Sequence, residues 1–139
     1  MGTDDRTNIE PGSIYTSSVT HPDQLDFQPV FTNVDKIPPY SLLPGITMQS
    51  VAGKKIMMTW VTIVPNATVP EHQHPQEQSG TVLEGVLTLH IGGESHDLGP
   101  GDIYTIPPNM PHSAVSKDGC KVLDIFSPAR EDFLPYAVH

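Results

Sequence analysis

His72-Gln-His-Pro-Gln-Glu-Gln78 is the stretch that decides the fold of this 139-residue chain, and Pro107-Pro-Asn-Met-Pro-His112 echoes it later. Side chains of an extended strand alternate between its two faces, so histidines one residue apart project from the same face. Two imidazoles on a polar stretch have little packing value, but together they can hold a divalent metal ion. His112 can complete the set from a later strand. The two stretches therefore predict a metal site in a small β-barrel.

Composition narrows the class of protein. A chain of 139 residues fits a single domain with a sizeable core. Sixteen acidic against seven basic side chains, a formal net charge of −9, argue against a nucleic-acid partner, since phosphate contacts need a basic surface. The single cysteine, Cys120, cannot form an internal disulfide and is expected in the core. Without a signal-like start or a long apolar run, we expect a cytoplasmic protein with no membrane partner.

The chain divides into an arm and one domain. Residues 1–28 are polar and rich in turn-forming residues, which predicts an N-terminal arm that wraps the domain or a neighbouring subunit. Ile14, Leu25 and Phe27 give this arm apolar side chains with which to dock. Residues 29–139 are predicted to form the single barrel domain.

Short runs of β-branched and aromatic residues follow one another from Phe31 onward, separated by glycine, proline and asparagine. Fifteen prolines and the lack of a sustained helical stripe argue against long helices. The run 55–64 predicts a strand, with Trp60 and the pair Met57-Met58 in the core. Lys117-Asp-Gly119 predicts a hairpin turn joining strands at 113–115 and 121–126. Eight or more short strands in this length predict an all-β sandwich or closed barrel.

The ligand set has two open points. Gln78 shares strand parity with His72 and His74, and an amide oxygen can serve as a harder ligand beside imidazole nitrogen. Glu77 is the rival, because a carboxylate is a better hard donor, although it falls on the opposite strand parity. The alternative to a metal site is a rim of exposed or hydrogen-bonded polar residues.

Together with Gly85, Gly101-Asp102 and Pro107, these stretches resemble the two motifs of the cupins, over about residues 45–128. The resemblance implies an all-β cupin jelly-roll β-barrel, a double-stranded β-helix with a divalent transition metal inside: Ni, Fe, Mn, Zn or Cu. By the same resemblance the metal ligands are His72, His74, Gln78 and His112. Many cupins carry glutamate where this chain has Gln78. Four neutral ligands leave the full charge of the dication on the site, which favours Lewis-acid chemistry.

A second segment, Asp124-Ile-Phe-Ser-Pro-Ala-Arg-Glu-Asp-Phe133, follows the last predicted strand. Taken alone, it is explained by a packed Phe126 and a surface ion pair between Asp124 and Arg130. It also resembles the end of one cupin branch, the small pectin-degradation proteins that act on 4,5-unsaturated uronates. That resemblance implies catalytic roles for Asp124, Phe126 and Arg130.

Three functions remain open. The first is a metal-dependent isomerase or tautomerase that opens the ring of an unsaturated uronate. There Asp124 moves a proton, Arg130 binds the substrate carboxylate and Phe126 forms an apolar wall. The second is a metal-dependent dioxygenase of a diketone or enol, and the third is a non-catalytic metal- or ligand-binding module. The expected partners are a small anionic molecule and, by resemblance to small cupins, a second copy of the chain in a homodimer.

Overall fold

Two antiparallel β-sheets form the body of the computed structural model, which describes residues 21–139. In chain order the strands of this region are β1 (Tyr40–Leu43), β2 (Ile46–Ala52), β3 (Met57–Ile63), β4 (Thr68–His72), β5 (Glu77–Gly85), β6 (Leu87–Ile91), β7 (Glu94–Leu98), β8 (Ile103–Ile106), β9 (His112–Val115) and β10 (Cys120–Ser127). One sheet has the order β1-β2-β3-β10-β5-β8 and the other β4-β9-β6-β7. This is the predicted jelly-roll barrel, and the all-β fold class is confirmed.

Alternation along the strands decides which side chains enter the barrel. In β10 every second residue is buried, so Asp124 and Phe126 point inward from the same face. In β3 the buried set starts at Met57, which leaves Met58 and Trp60 half-buried on the opposite face. The prediction that all three are core residues is therefore correct for Met57 and wrong for the other two, because strand parity outweighs their hydrophobicity.

The turn at residues 117–119 is not a hairpin. The strand before it, β9, belongs to the four-stranded sheet, whereas β10 belongs to the six-stranded sheet. The passage from β5 to β6 also crosses between the sheets, at Gly85, whose φ is +76°. A β-carbon at Gly85 would collide with the carbonyl oxygen of Gly119. The two crossings thus lie against each other, and the close approach requires glycine.

The segment after β10 returns across the barrel. Phe133 and Leu134 join the core, a short 3-10 helix spans Leu134–Tyr136, and Val138 forms a parallel bridge with Val51 of β2. This return brings residues 130–133 back toward the barrel interior. At the other end, Leu25 and Phe27 pack against the core.

The remainder of the predicted arm, with Ile14, lies outside the described residues. Among helices in the part of the chain that the structure describes, none has the length and apolar character needed to cross a membrane.

Candidate functional site

Three imidazoles converge inside the barrel. His72 ends β4, His74 follows it by two residues, and His112 begins β9, where it lies opposite His72 in the ladder. The ring centroids of His72 and His112 are 4.2 Å apart, and those of His74 and His112 are 5.0 Å apart. Each ring offers one nitrogen such that all three nitrogens lie within 4.8 Å of one another. The His-x-His pair and the later histidine thus meet through the pairing of β4 with β9.

A backbone carbonyl faces the Nδ1 atom of each of the three rings. Each Nδ1 lies at hydrogen-bonding distance from a carbonyl oxygen: 2.8 Å to Pro70 from His72, 3.0 Å to Gln76 from His74 and 2.8 Å to Met110 from His112. A carbonyl can only accept, so in His72 and His112 Nδ1 carries the proton and Nε2 keeps its lone pair. In His74 the shorter contact, to Gln76, favours the same tautomer, although Oε1 of Gln78 lies 3.1 Å from its Nε2. Burial lowers the pKa of His72 to about 4 and that of His74 to about 3, so both rings are neutral at pH 7.

This donor set fits a divalent transition metal. Within the described residues, Nε2 of His112 is buried without a hydrogen-bond partner, which is costly unless a cation binds there. Neutral imidazoles held by backbone carbonyls are the form in which histidine binds metal. The residues present therefore suit the ion that the sequence predicts, and His72, His74 and His112 could hold it.

Gln78 lies beside this cluster, and its amide is oriented by its neighbours. Its Oε1 is 3.1 Å from Nε2 of His74. Its amide nitrogen donates to the Asp124 carboxylate, which directs the oxygen toward the imidazoles. With the His74 proton on Nδ1, two lone pairs face each other across 3.1 Å, and a bound cation would relieve the repulsion. The rival ligand, Glu77, is exposed on the outer face of β5.

Asp124 is a buried carboxyl group held by two donors. The Tyr104 hydroxyl donates to Asp124 Oδ1 at 2.6 Å, and the amide of Gln78 is the second donor. Burial raises the pKa of Asp124 to about 6, although both hydrogen bonds and the nearby charge of Arg130 oppose this rise. Burial and the neighbouring carboxylate also hold the pKa of Tyr104 above its usual range, so its hydroxyl remains a donor.

Gly80 makes room for this pair of side chains. It lies opposite Tyr104 in β8 and Asp124 in β10, and a β-carbon at Gly80 would overlap the tyrosine ring and hydroxyl. Replacing Gly80 with alanine is expected to break the Tyr104–Asp124 hydrogen bond and lower the free energy of unfolding by about 1–3 kcal/mol. Thermal and urea unfolding measure this.

The control is Gly99→Ala, since a β-carbon at Gly99 meets no described atom within 4 Å. Equal stability of the two variants would contradict the packing argument.

Arg130 is buried, with 3% of its surface exposed, and its ion-pair partner is not Asp124. Its Nε and Nη2 donate to the two carboxylate oxygens of Asp132, at 3.0 and 2.7 Å. The guanidinium carbon lies 4.1 Å from the ring centroid of Phe133 and 5.1 Å from that of Phe126. The surface pair of Asp124 with Arg130, which the segment alone suggests, is therefore wrong.

One cavity of about 660 Å³, open mouth included, contains most of these groups. Its polar end is lined by His72, Gln78, Tyr104, His112, Asp124, Phe126, Arg130 and Phe133. Its other end is apolar and includes Met48, Val61, Leu87 and Leu89. His74 packs edge-on against Phe126, with centroids 5.7 Å apart. The structure thus brings together all seven residues that the sequence singled out.

Sequence reasoning missed Tyr104, Asp132 and Gly80. In β8, strand alternation leaves Ile103 exposed and Tyr104 buried. The run 103–106 is too short for its sequence to indicate which of its residues face inward. Asp132 stands two residues after Arg130 in a polar stretch, where an acidic residue is ordinarily solvated. The two-residue spacing from Arg130 could have suggested Asp132 as its ion-pair partner. The burial of Asp132, however, depends on the return of the chain across the barrel.

Comparison with known proteins agrees with this picture. The model of the family described as "Cupin domain" matches residues 59–126. The chain is 33% identical over 103 residues to the pectin degradation protein KdgF of Dickeya dadantii (strain 3937), covering 72% of this chain and 94% of that protein.

A second relative is a transcriptional regulator. The chain is 31% identical over 91 residues to the HTH-type regulator PuuR of Escherichia coli (strain K12), covering 60% of this chain and 49% of PuuR. The chain therefore spans about half the length of that regulator. Among solved structures, that of KdgF from Halomonas sp. superposes with a TM-score of 0.72 at 28% identity, covering 76% of this chain and 99% of that one.

Proposed function

This chain belongs to the cupin superfamily and is homologous to the pectin degradation protein KdgF, and from this premise we propose that it is a metal-dependent isomerase of a small unsaturated uronate. One observation carries the proposal. A cluster of neutral imidazoles, a buried carboxylate at Asp124 and a buried guanidinium at Arg130 share the polar end of one cavity. A carboxylated substrate that must exchange a proton between oxygen and carbon needs these three groups.

The metal would be held by His72, His74, His112 and Gln78. When bound, a divalent transition ion would supply Lewis acidity, polarising substrate oxygens and stabilising negative charge that develops on them. All four ligands are neutral, so nothing in this set offsets the charge of the ion.

Asp124 is the proton carrier of the proposed reaction. Its carboxylate takes the proton of the anomeric hydroxyl as the bond between the anomeric carbon and the ring oxygen breaks, which leaves an aldehyde and an enolate on the former ring oxygen. Asp124 then delivers this proton to the carbon at the far end of the enolate double bond, so that the enolate becomes a ketone and the carboxylate is restored. Substrate and product are isomers, so no oxidant or reductant is consumed. Tyr104 and Gln78 hold the carboxylate in place through their hydrogen bonds.

Arg130 and Phe126 orient the substrate. A guanidinium binds a carboxylate through parallel N–H donors, and Arg130 presents this charge within a strongly acidic protein of net charge −9. Phe126 contacts both Arg130 and His74, and its ring offers an apolar wall to the sugar.

Replacing Gln78 with glutamate is expected to preserve metal binding but to lower kcat at least about tenfold, because the new carboxylate repels Asp124 instead of donating to it. Metal analysis and initial rates measure the two effects. Gln73→Glu makes the same change at an exposed position and should leave both unchanged. Full activity of the Gln78 variant would argue against the Gln78–Asp124 contact in the reaction.

The direct test is an ultraviolet assay of the metal-loaded protein on 4,5-unsaturated galacturonate, run beside an oxygen electrode. We expect loss of the absorbance of the conjugated double bond without oxygen uptake. A chelator should stop the reaction, and added divalent metal should restore it. A metal-loaded protein that leaves unsaturated galacturonate and guluronate intact would refute the isomerase proposal.

A second candidate is a metal-dependent dioxygenase of an enol or diketone. The observation that favours it is the apolar end of the cavity, where Val61, Leu87 and Leu89 would suit a substrate less polar than a sugar acid. Oxygen uptake with such a substrate, together with inertness toward uronates, would favour this candidate.

A further inference from the structure

We infer that Asp132 is a positioning residue that leaves Arg130 a single free edge, directed at the substrate carboxylate. The inference rests on the proposed function in one respect, namely that the substrate carries a carboxylate. It concerns a residue that touches Arg130 and not the substrate.

Asp132 occupies one edge of the Arg130 guanidinium. A guanidinium has two edges with parallel N–H groups: one formed by Nε with one Nη, the other by the two Nη atoms. In Arg130 the first edge is occupied, because Nε donates to Oδ1 of Asp132 at 3.0 Å and Nη2 donates to Oδ2 at 2.7 Å. Among residues 21–139 no side chain occupies the second edge, Nη1 with Nη2, which retains its donors for another carboxylate.

The faces of the guanidinium are also confined. Phe133 lies 4.1 Å from the guanidinium carbon and Phe126 lies 5.1 Å from it, measured to the ring centroids. The two rings are themselves packed edge to face, with centroids 5.8 Å apart at 81°. With Asp132 on one edge and aromatic rings around it, the arginine plane has little freedom to rotate.

The direction of the free edge follows from what lines the cavity. Arg130, Phe126 and Phe133 border the cavity, whereas Asp132 does not. Asp132 therefore holds the guanidinium from the side away from the substrate, and its side chain is only 11% exposed. The imidazole cluster lies near the same ring, since His74 packs edge-on against Phe126. A substrate between them would place its carboxylate at Arg130 and its oxygens near the imidazoles.

Asp132 also balances the buried charge. Without it, Arg130 would be a buried cation free to turn toward other acceptors, such as Asp124 in the same cavity. Carboxylate recognition would then depend on charge attraction without a prepared geometry. The expected consequence of losing Asp132 is weaker binding of a carboxylate, even though the net positive charge of the cavity wall increases.

The test measures binding of saturated D-galacturonate, with D-galactose as the neutral comparison, to the metal-loaded protein by calorimetry. Asp132→Asn is expected to raise the Kd for galacturonate about tenfold while metal content stays at the wild-type level. In an Arg130→Ala background the same change should cause no further loss, because Asp132 acts through Arg130. Glu131→Gln, which removes a neighbouring, more exposed charge, should leave the Kd within about twofold.

Several results would overturn the inference. An unchanged or lower Kd for Asp132→Asn would do so, as would an equal further loss in the Arg130→Ala background, which would indicate a purely structural role. Wild-type protein that binds galacturonate no better than galactose would do so as well. If the asparagine variant does not fold, Asp132→Glu keeps the charge but displaces the carboxylate. It should still weaken galacturonate binding, and wild-type affinity would refute positioning.

Different experimental results would refute the proposed isomerase function and the positioning role of Asp132. If galacturonate binding shows the coupling of Asp132 to Arg130 but unsaturated galacturonate is not isomerised, the proposed function is wrong and the positioning role stands. If isomerisation occurs with a KM that Asp132→Asn does not change, the proposed function stands and the positioning role is wrong.

Discussion

Replacing His112 with alanine is expected to leave the purified protein with less than about a tenth of the metal that the wild type binds, and with no measurable isomerase activity. His112 contributes the ring whose Nε2 is buried without a partner among residues 21–139, and each of the other two imidazoles is closer to it than to the other. Loss of this ring removes one ligand of the proposed four-ligand set. Elemental analysis after dialysis against metal-containing buffer measures the effect.

The fold should survive this change. Nε2 of His112 makes no hydrogen bond within the described part of the chain, and the loss of Nδ1 removes a single hydrogen bond, to the carbonyl oxygen of Met110, a cost of about 1 kcal/mol. His96→Ala is the matched control, because the His96 side chain is 67% exposed on the edge strand β7. A folded His112→Ala protein that retains a full equivalent of metal would remove the site from consideration.

Replacing Asp124 with asparagine is expected to lower kcat by about 10²- to 10⁴-fold, the usual contribution of a positioned acid–base group. Asparagine has nearly the same shape and can still accept the hydrogen bond from Tyr104. It cannot carry the proton from the anomeric oxygen to carbon. Rates on 4,5-unsaturated galacturonate, compared at equal metal content, measure the effect.

Metal content has to be measured in the same samples, because Asp124 also accepts a hydrogen bond from the amide of Gln78. Asp118→Asn removes an equal charge in the exposed turn before β10 and should retain wild-type kcat. An Asp124→Asn protein with bound metal and near-normal kcat would assign the proton transfer to another group.

Most of the fold could be predicted from local patterns. Alternation over a few residues and the positions of glycine and proline predict β-strands, and the strands expected at 55–64, 113–115 and 121–126 correspond to β3, β9 and β10, with bounds shifted by a few residues. β7 carries no such pattern, because its sequence, Glu-Ser-His-Asp-Leu, is exposed and polar along most of its length. Sheet membership could not be predicted, since a turn such as 117–119 has the same sequence pattern whether it forms a hairpin or crosses between sheets.

Part of the candidate site could likewise be predicted from the sequence, and part could not. The spacing of His72 and His74 places both rings on one face, and the motif resemblance adds His112 and Gln78. The choice between Gln78 and Glu77 could be argued from strand parity, and the structure has Gln78 inward and Glu77 outward. The proton positions on the imidazoles could not be predicted, because they depend on three backbone carbonyls whose directions follow from the folded chain.

By itself, the sequence determined the strand-rich character of this protein, the two histidine stretches and the strand parity that Gln78, and not Glu77, shares with His72 and His74. These properties depend on neighbours a few residues away. Only the tertiary structure decided that Arg130 pairs with Asp132 inside the protein, that Tyr104 donates to Asp124, and that Gly80 must lack a side chain. Such contacts arise where the chain returns across the barrel and where β5 pairs with β8 and β10, and their burial turns ordinary polar residues into paired, oriented groups.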